Sequence, residues 1–382
     1  MAAWYDEGLE AQARAHERVQ ALLFLLRFAL LIALAAVFWI TGGAQALAEG
    51  LQGRLSFSYS WPLVYLLFVA LAVFGYEAAL FPLSVLADFS LDRAPGQSPA
   101  DFGTWLRGYL ITLLLEMGIV AGAFTGLHVL MRVFPSIWWV LATGAYVALV
   151  AGLGEWGPSQ LLPRVRPPVA AEDGPLAEEL SRAGREAGLE ITGAAWWDFE
   201  HQEDLEDVRL AGRGMRRRVI YSAWAWRQLD RREKVFVAAT RMAGWRYRAA
   251  WAVHGVQAVL TAGVLYGAER IATSAAQLRG LEGAAVPEAF PFLVVSLFGL
   301  AALAGVLAHG VERRLELRAD RFALAHAGGV EALRTCLQRE FEREPYGVTA
   351  PAWRVLLLHR KPTAARRLAQ AEAWAASPSP KA

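Results

Sequence analysis

Six long apolar runs, each bounded by polar or aromatic residues, dominate the hydropathy pattern of this chain. They lie at 19–41, 61–84, 105–131, 136–154, 249–267 and 289–309. An α-helix rises ~1.5 Å per residue, so ~20 apolar residues cross the ~30 Å hydrocarbon core of a bilayer. The pattern therefore predicts six membrane-spanning helices. A mixed-charge segment at 4–18 precedes the first run and is either an interfacial helix or a frayed terminus.

Polar and alternating segments after Gly157 predict a small region outside the membrane. Asp173 is placed to cap a helix over 174–187, and short runs with strand character follow. The predicted strands lie at 190–199, 206–211 and 216–222, with Gly212-Arg213-Gly214 as the hairpin turn between the last two.

A central helix begins after Asp230 and is predicted to run without a break into the fifth apolar run. A polar loop is predicted at 268–288, before the sixth run. Beyond that run, the amphipathic pattern predicts helices at 310–326, 329–342, 351–358 and 363–375.

These elements predict a mainly α protein, a polytopic membrane helix bundle with a split, small α+β cytoplasmic domain. The bundle and the domain alternate along the chain. The predicted segments are a four-span membrane domain at 1–156, the first half of the cytoplasmic domain at 157–248, a two-span hairpin at 249–309 and the second half of the domain at 310–382.

Composition agrees with this membrane assignment. Hydrophobic residues make up 55% of the chain and the mean hydropathy is +0.30, which is too apolar for a soluble protein. The formal net charge of +2 gives no reason to expect nucleic acid as a partner. The single cysteine, Cys336, excludes an internal disulfide framework and fits a reducing compartment.

Arginine-rich stretches indicate how the chain lies in the membrane. They fall at 164–167, 213–218, 241–248 and 312–321, all within the predicted soluble region. Because basic residues concentrate on the cytoplasmic side, we expect an inner or plasma membrane protein whose soluble domain and both termini are cytoplasmic. The long first apolar run, preceded by acidic residues, predicts a retained anchor instead of a cleaved signal peptide.

One segment after the sixth run carries the most specific motif, since residues 312–323 read ERRLELRADRFA. This resembles the R-R-x-E-x-x-A-D-x-F-A motif of the integral-membrane zinc metallopeptidases typified by the type I CAAX prenyl protease. In that family the Glu is the third zinc ligand and the Asp supports the site. The likeness extends to the D-G-x-L helix start at Asp173 and covers roughly 60–375. It implies the family's fold, with Glu316 and Asp320 at these two positions.

The resemblance also implies positions that would bind substrate. The family's N-A-x-x-x-G edge aligns with Asp207 to Gly212, where Asp-Val stands for Asn-Ala. Its T-H-P-x-x-x-x-R motif aligns with the segment that ends at Arg367, where Lys361 replaces the His unless His359 substitutes for it. These five residues are the candidates for substrate binding.

The zinc-binding helix of that family carries H-E-x-x-H, and this chain departs from it. If Gly244 marks the register, the five positions hold Arg241, Met242, Ala243, Gly244 and Trp245. A catalytic zinc needs imidazole or carboxylate ligands and a base for the bound water, and none of these five residues supplies either. The sequence therefore favours a pseudoprotease, with no cofactor expected and Glu316 the only retained metal ligand.

The favoured function is a catalytically inactive relative that lies in the lipid bilayer and binds a hydrophobic or lipidated peptide, or a membrane-protein segment. One alternative is an active membrane zinc metalloendopeptidase with atypical ligands, for which zinc is the expected cofactor. The other is a chamber-forming lipid binder or transporter, whose binding would depend on Glu116 or His128.

Two arrangements of the retained carboxylates are compatible with the sequence. In one, Arg241 faces Glu316, and a buried ion pair stands where the metal would be. In the other, Glu316 and Asp320 pair with Arg313 or Arg321 on a solvated helix face.

Overall fold

The computed structural model describes residues 4–55, 60–91, 101–171, 173–197 and 208–377. The chain divides into two compact units. Unit 1 comprises Met1–Arg18, Tyr146–Leu260 and Ala304–Ala382, and unit 2 comprises Val19–Ala145 and Thr261–Leu303. The predicted division into four segments stays a prediction.

Helices account for most of the described residues. In chain order they are α1 (Glu7–Ile40), α2 (Gly43–Arg54), α3 (Trp61–Ser84), α4 (Phe102–Val133), α5 (Trp138–Ala151), α6 (Leu162–Val165), α7 (Gly174–Glu186), α8 (Ala223–Gln228), α9 (Arg231–Arg246), α10 (Ala249–Gln277), α11 (Phe290–His326), α12 (Gly329–Arg343), α13 (Ala352–Leu358) and α14 (Ala364–Ala375). The segments Val85–Leu91 and Gly152–Leu161 are π-helical, and Pro287–Ala289 forms a 3-10 turn.

Six helical segments in the described ranges are long and apolar enough to cross a membrane, as the apolar pattern predicts. They are Glu7–Ile40, Trp61–Ala87, Phe102–Val133, Trp138–Val165, Ala249–Gln277 and Pro287–His326. This confirms the membrane helix bundle, and the protein is an integral membrane protein.

The ends of several spans differ from the sequence prediction. The mixed-charge segment before the first run is helical from Glu7 and continuous with the first span, so no separate interfacial helix or frayed end is seen there. The polar loop predicted from residue 268 starts later, because α10 continues to Gln277. Polar side chains in that stretch bond within the helix: the Thr273 hydroxyl donates to the Glu269 carboxylate at 2.9 Å. Local bonding of this kind lets polar residues remain helical.

The prediction that the central helix runs unbroken into the fifth span is wrong. α9 ends at Arg246, and Arg248 adopts a left-handed backbone conformation with φ of 50° before α10 begins at Ala249. A non-glycine residue in this conformation interrupts the helix. The sequence has no proline or glycine at this point, and therefore gives no local signal for the break.

A four-stranded sheet lies in unit 1, with the strand order β1-β2-β4-β3. Its strands are β1 (Val169–Ala170), β2 (Glu190–Trp196), β3 (Val208–Arg213) and β4 (Arg216–Tyr221). β2 and β4 are parallel, and the β1–β2 and β3–β4 pairs are antiparallel. β3 is therefore an edge strand of the described sheet.

The hairpin between β3 and β4 turns later than the sequence predicts. Arg213 pairs with Arg216, so the turn residues are Gly214 and Met215, and Gly212 belongs to β3. Gly214 has φ of 56°, which a tight hairpin turn requires and glycine adopts without strain. The two-residue strand β1 is not predicted, because so short a strand carries no periodic pattern.

One hydrophobic core joins the elements of unit 1. It contains Leu176 of α7, Val219 of β4, Met242 of α9, Phe322 of α11 and Leu368 of α14, all buried. Elements separated by nearly two hundred residues in the sequence are thereby held in a single α+β region. The mixed helix and strand type predicted for this region is confirmed.

We predict that Gly184→Ala destabilises the protein. A Cβ at Gly184 would lie 2.4 Å from Cγ1 of Ile191, at the contact between α7 and β2. Forcing such a contact typically costs about 1–3 kcal/mol of unfolding free energy, and we expect a lower thermal unfolding midpoint in detergent. Gly244→Ala in α9 is the matched control. A Cβ there meets no atom within 4 Å, so the midpoint should stay or rise, and equal destabilisation by both changes would contradict the packing argument.

Candidate functional site

The helix that carries the candidate site, α9, is fixed at its first turn. The Asp230 carboxylate accepts from the Glu233 backbone N–H at 2.8 Å, and the Glu233 carboxylate accepts from the Asp230 N–H at 2.7 Å. Glu233 is only 2% exposed and also receives Arg339 Nε at 3.2 Å. This capping box and ion pair set the start of α9, and hence the face on which its later residues lie.

The three residues predicted to align with the zinc-binding motif differ in their surroundings. Met242 is fully buried in the core of unit 1, and Arg241 beside it is half-buried. Trp245 is 40% exposed at the C-terminal end of α9. Met242, at the predicted general-base position, is thus a packing residue of the core.

Arg217 connects Trp245 with the sheet. Its guanidinium lies 4.4 Å from the centroid of the Trp245 ring, and its Nη1 donates to the Gly212 carbonyl at 2.6 Å. The Gln160 amide donates to the same carbonyl at 2.6 Å. Burial lowers the pKa of Arg217 below its ordinary value. The structure therefore links the predicted positions Gly212 and Trp245 through a residue that the sequence did not single out.

Gly212 must be glycine for two physical reasons. Its φ is 125°, a conformation that residues with a Cβ rarely adopt. A Cβ would also lie 2.5 Å from the Arg216 carbonyl oxygen. Gly212 is thus fixed in place at the end of β3, with its carbonyl already bonded to donors of its own chain.

Asp320 and Arg367 form a buried, bidentate ion pair. Nε and Nη2 of Arg367 each donate to one carboxylate oxygen of Asp320 at 2.8 Å. Asp320 is 0% exposed. The alternative in which Asp320 pairs with Arg313 or Arg321 on a solvated face is therefore wrong. Arg313 instead donates to the Val355 carbonyl at 2.9 Å. Asp320 pairs with Arg367 because two parallel hydrogen bonds from one guanidinium satisfy both oxygens of a buried carboxylate.

Arg367 is surrounded by further acidic groups. Burial by itself lowers the pKa of Arg367, but the charge and hydrogen bonds of Asp320, followed by the charges of Glu316 and Glu340, raise it above its ordinary value. Glu340 Oε2 lies 4.0 Å from Nη1 of Arg367. The positive charge of Arg367, which is predicted to bind substrate, is thus neutralised by carboxylates of the same chain. The pair between Arg241 and Glu316 stays a prediction.

The other predicted binding residues are placed as follows. The His359 carbonyl accepts from Nη1 of Arg313 at 2.5 Å, while Lys361 is exposed. Burial lowers the pKa of His359 below its ordinary value. The negative charge of Glu17 raises this pKa in part, and the positive charges of Arg354 and Arg313 lower it further. Asp207 lies outside the described residues.

Zinc is the metal that the sequence resemblance implies. Among the residues that the structure describes, no three or more His, Cys, Asp or Glu side chains are grouped so that they would hold a metal ion. At the aligned positions the donor chemistry does not suit zinc either: Arg241 is a fixed cation, Met242 is enclosed in the core, and the Trp245 ring lies against Arg217. No hydrolytic step is assigned to these residues.

Comparison with known proteins places the fold. No protein-family model matches the sequence, and no curated protein matches it. The structure is similar to the crystal structure of S. mikatae Ste24p, with a TM-score of 0.72 and 14% sequence identity over 97% of this chain and 90% of that one. Ste24p belongs to the CAAX prenyl protease family of membrane zinc metalloproteases. The chain therefore has a Ste24p-like fold, and at this identity the likeness concerns the fold alone.

We predict that the Asp320–Arg367 pair is essential for the stability of unit 1. Asp320→Asn leaves a buried arginine without its countercharge, which typically costs about 3–5 kcal/mol of unfolding free energy. The matched control is Arg360→Gln, which breaks the bidentate pair with Glu312, where the arginine side chain is 67% exposed. Such pairs typically contribute about 0–1 kcal/mol.

Thermal unfolding in detergent measures both changes. The double change Asp320→Asn with Arg367→Gln should recover part of the loss, because it removes the stranded charge. An unfolding midpoint for Asp320→Asn equal to that of Arg360→Gln would contradict the assigned role.

Proposed function

We propose that this chain is a catalytically silent relative of the membrane zinc metalloproteases and that it binds a segment of protein without cutting it. The segment is an apolar or lipidated peptide, or part of another membrane protein. The Ste24p-like fold supports the relation to this class of membrane protein. The lack of catalytic activity and the binding of a protein segment are our proposal.

The observation that carries the proposal is the arrangement at the end of α9. The resemblance aligns Trp245 with the family's second zinc-binding His, and Arg217 covers one face of its ring while bonding to Gly212. Met242, at the position of the catalytic Glu, is enclosed in the core. A cation–π contact and a core methionine thus take the places that zinc chemistry would need.

The free edge of β3 is the element that we propose to bind the segment. β3 pairs only with β4 within the described sheet, and we propose that a further strand adds to the other edge of Val208–Ala211. Strand addition uses backbone hydrogen bonds, which need no metal. The Gly212 carbonyl is already bonded to Gln160 and Arg217, and it therefore closes the binding edge at that end.

The location of this edge follows from the charge distribution. The arginine-rich stretches that frame the sheet and α9 lie in unit 1, and positive charge favours the cytoplasmic side. We propose that the edge faces the cytoplasm, with both termini on the same side. The partners are then the lipid bilayer and a cytoplasmic or membrane-emerging protein segment.

We predict that the purified full chain in nanodiscs binds a fluorescein-labelled apolar peptide of about ten residues with a farnesylated cysteine, measured by fluorescence anisotropy. The same peptide with alternate backbone nitrogens methylated keeps its side chains but lacks the donors for strand pairing. Its affinity should be at least about tenfold weaker. Equal affinity of the two peptides would rule out strand addition and point to the lipid group alone.

We predict that the scaffold regains zinc when its ligands are restored. Arg241→His with Trp245→His supplies two imidazoles one helical turn apart and leaves the buried Met242 intact, and we propose that Glu316 is the third ligand. The purified double variant should contain one zinc per chain by elemental analysis. The triple variant, which adds Met242→Glu, tests for cleavage of the farnesylated peptide. A folded double variant that remains free of zinc would show that α9 and Glu316 do not form a vacated metal site.

A further inference from the structure

A pocket of about 330 Å³ lies within unit 2, at one end of its helices. It is formed where α2 ends, α3 begins and α4 ends, beside the 3-10 turn before α11. Its polar lining consists of Gln52, Ser60, His128 and Arg132, together with the indole of Trp61. The ends of membrane-spanning helices meet the layer of lipid headgroups, so this pocket is at the level where phosphate groups are concentrated.

His128 is the buried polar group of this pocket. It is 2% exposed and stacks on Tyr65, with ring centroids 3.8 Å apart and planes inclined by 11°. Within the described residues its Nδ1 has no hydrogen-bond partner. A buried nitrogen without a partner destabilises the protein, and a ligand that accepts a hydrogen bond from its N–H would remove this penalty.

Arg132 supplies positive charge to the same pocket. Its guanidinium lies 4.7 Å from the centroid of the Trp61 ring. Stacking uses the face of the guanidinium, so the N–H donors at its edge are available to an anion. No carboxylate in the described part of the chain lies within ion-pair distance of Arg132.

We infer that this pocket binds a phosphate group. Arg132 offers a fixed charge and in-plane donors, and the hydroxyl of Ser60 and the amide of Gln52 add neutral donors. Leu55, Val64 and Pro287 complete the lining with apolar surface, which suits the glycerol and first methylene groups of a phospholipid. The site uses none of the residues of α9 or β3, so it is independent of the proposed peptide binding.

The experiment measures ligand binding to the full chain in a neutral detergent. Phosphatidylglycerol, phosphatidylcholine and inorganic phosphate are titrated separately, and bound lipid is counted by native mass spectrometry while thermal unfolding reports phosphate. Arg132→Gln should weaken phosphate-dependent binding about tenfold, as expected for loss of a charge-assisted hydrogen bond. Arg107→Gln is the matched control, because Arg107 is an exposed arginine near the other end of the same helix.

Each result has a distinct meaning. Binding of one phosphatidylglycerol to the wild type and Arg107→Gln, with about tenfold weaker binding to Arg132→Gln, supports the site with a lipid as its ligand. If inorganic phosphate shows the same order of affinities among the three proteins, the result supports the site with a soluble phosphate as its ligand. Gln52→Ala is a second variant in case Arg132→Gln does not fold, and it should weaken binding less. Binding that is indifferent to both changes, or no binding of any of the three probes, overturns the inference.

Discussion

The buried ion pair between Asp320 and Arg367 is the constraint on which the organisation of unit 1 depends. A carboxylate that is 0% exposed must be neutralised and fully hydrogen-bonded, and the guanidinium of Arg367 does both through two bonds of 2.8 Å. The pair connects α11 with α14, and Glu316 and Glu340 add to the negative field around Arg367. Because either partner alone would be a stranded charge, the two helices are held in one register.

Contacts at the end of α9 fix further residues of the same region. Met242 contributes to the core, and Trp245 forms a cation–π contact with Arg217, so each has a structural role. Arg217 in turn bonds to Gly212 at the end of the edge strand. Packing and arginine contacts therefore stabilise the end of α9 and the end of β3.

Much of the architecture follows from local sequence. The apolar runs predict the spans for two reasons. Their length matches the thickness of the bilayer, and in lipid the backbone polar groups must be hydrogen-bonded within a helix. Caps are equally local: Asp173 and Asp230 lie where the pattern predicts them, and their side chains accept from Leu176 and Glu233 backbone N–H groups. These features depend on neighbouring residues, which the sequence shows directly.

The rest depends on contacts that the sequence does not show. Asp320 and Arg367 are 47 residues apart, and the motif alone gave nearer arginines as partners. Arg217 was missed because its stacking on Trp245 requires the sheet and α9 to be packed together. The break at Arg248 has no glycine or proline to mark it, and it results from the tertiary structure around it. The family resemblance singled out Gly212, Arg367 and Asp320 as candidate site residues, but only the structure shows which groups they contact.

The zinc content of the natural protein tests the account most directly. The full chain, expressed with added zinc and purified without chelators, would be analysed for metal by elemental mass spectrometry and normalised to protein. The account predicts zinc at the background level, because the cation Arg241, the core residue Met242 and the indole of Trp245 provide no ligand. One zinc per chain, removed by chelation and restored on addition, would contradict it.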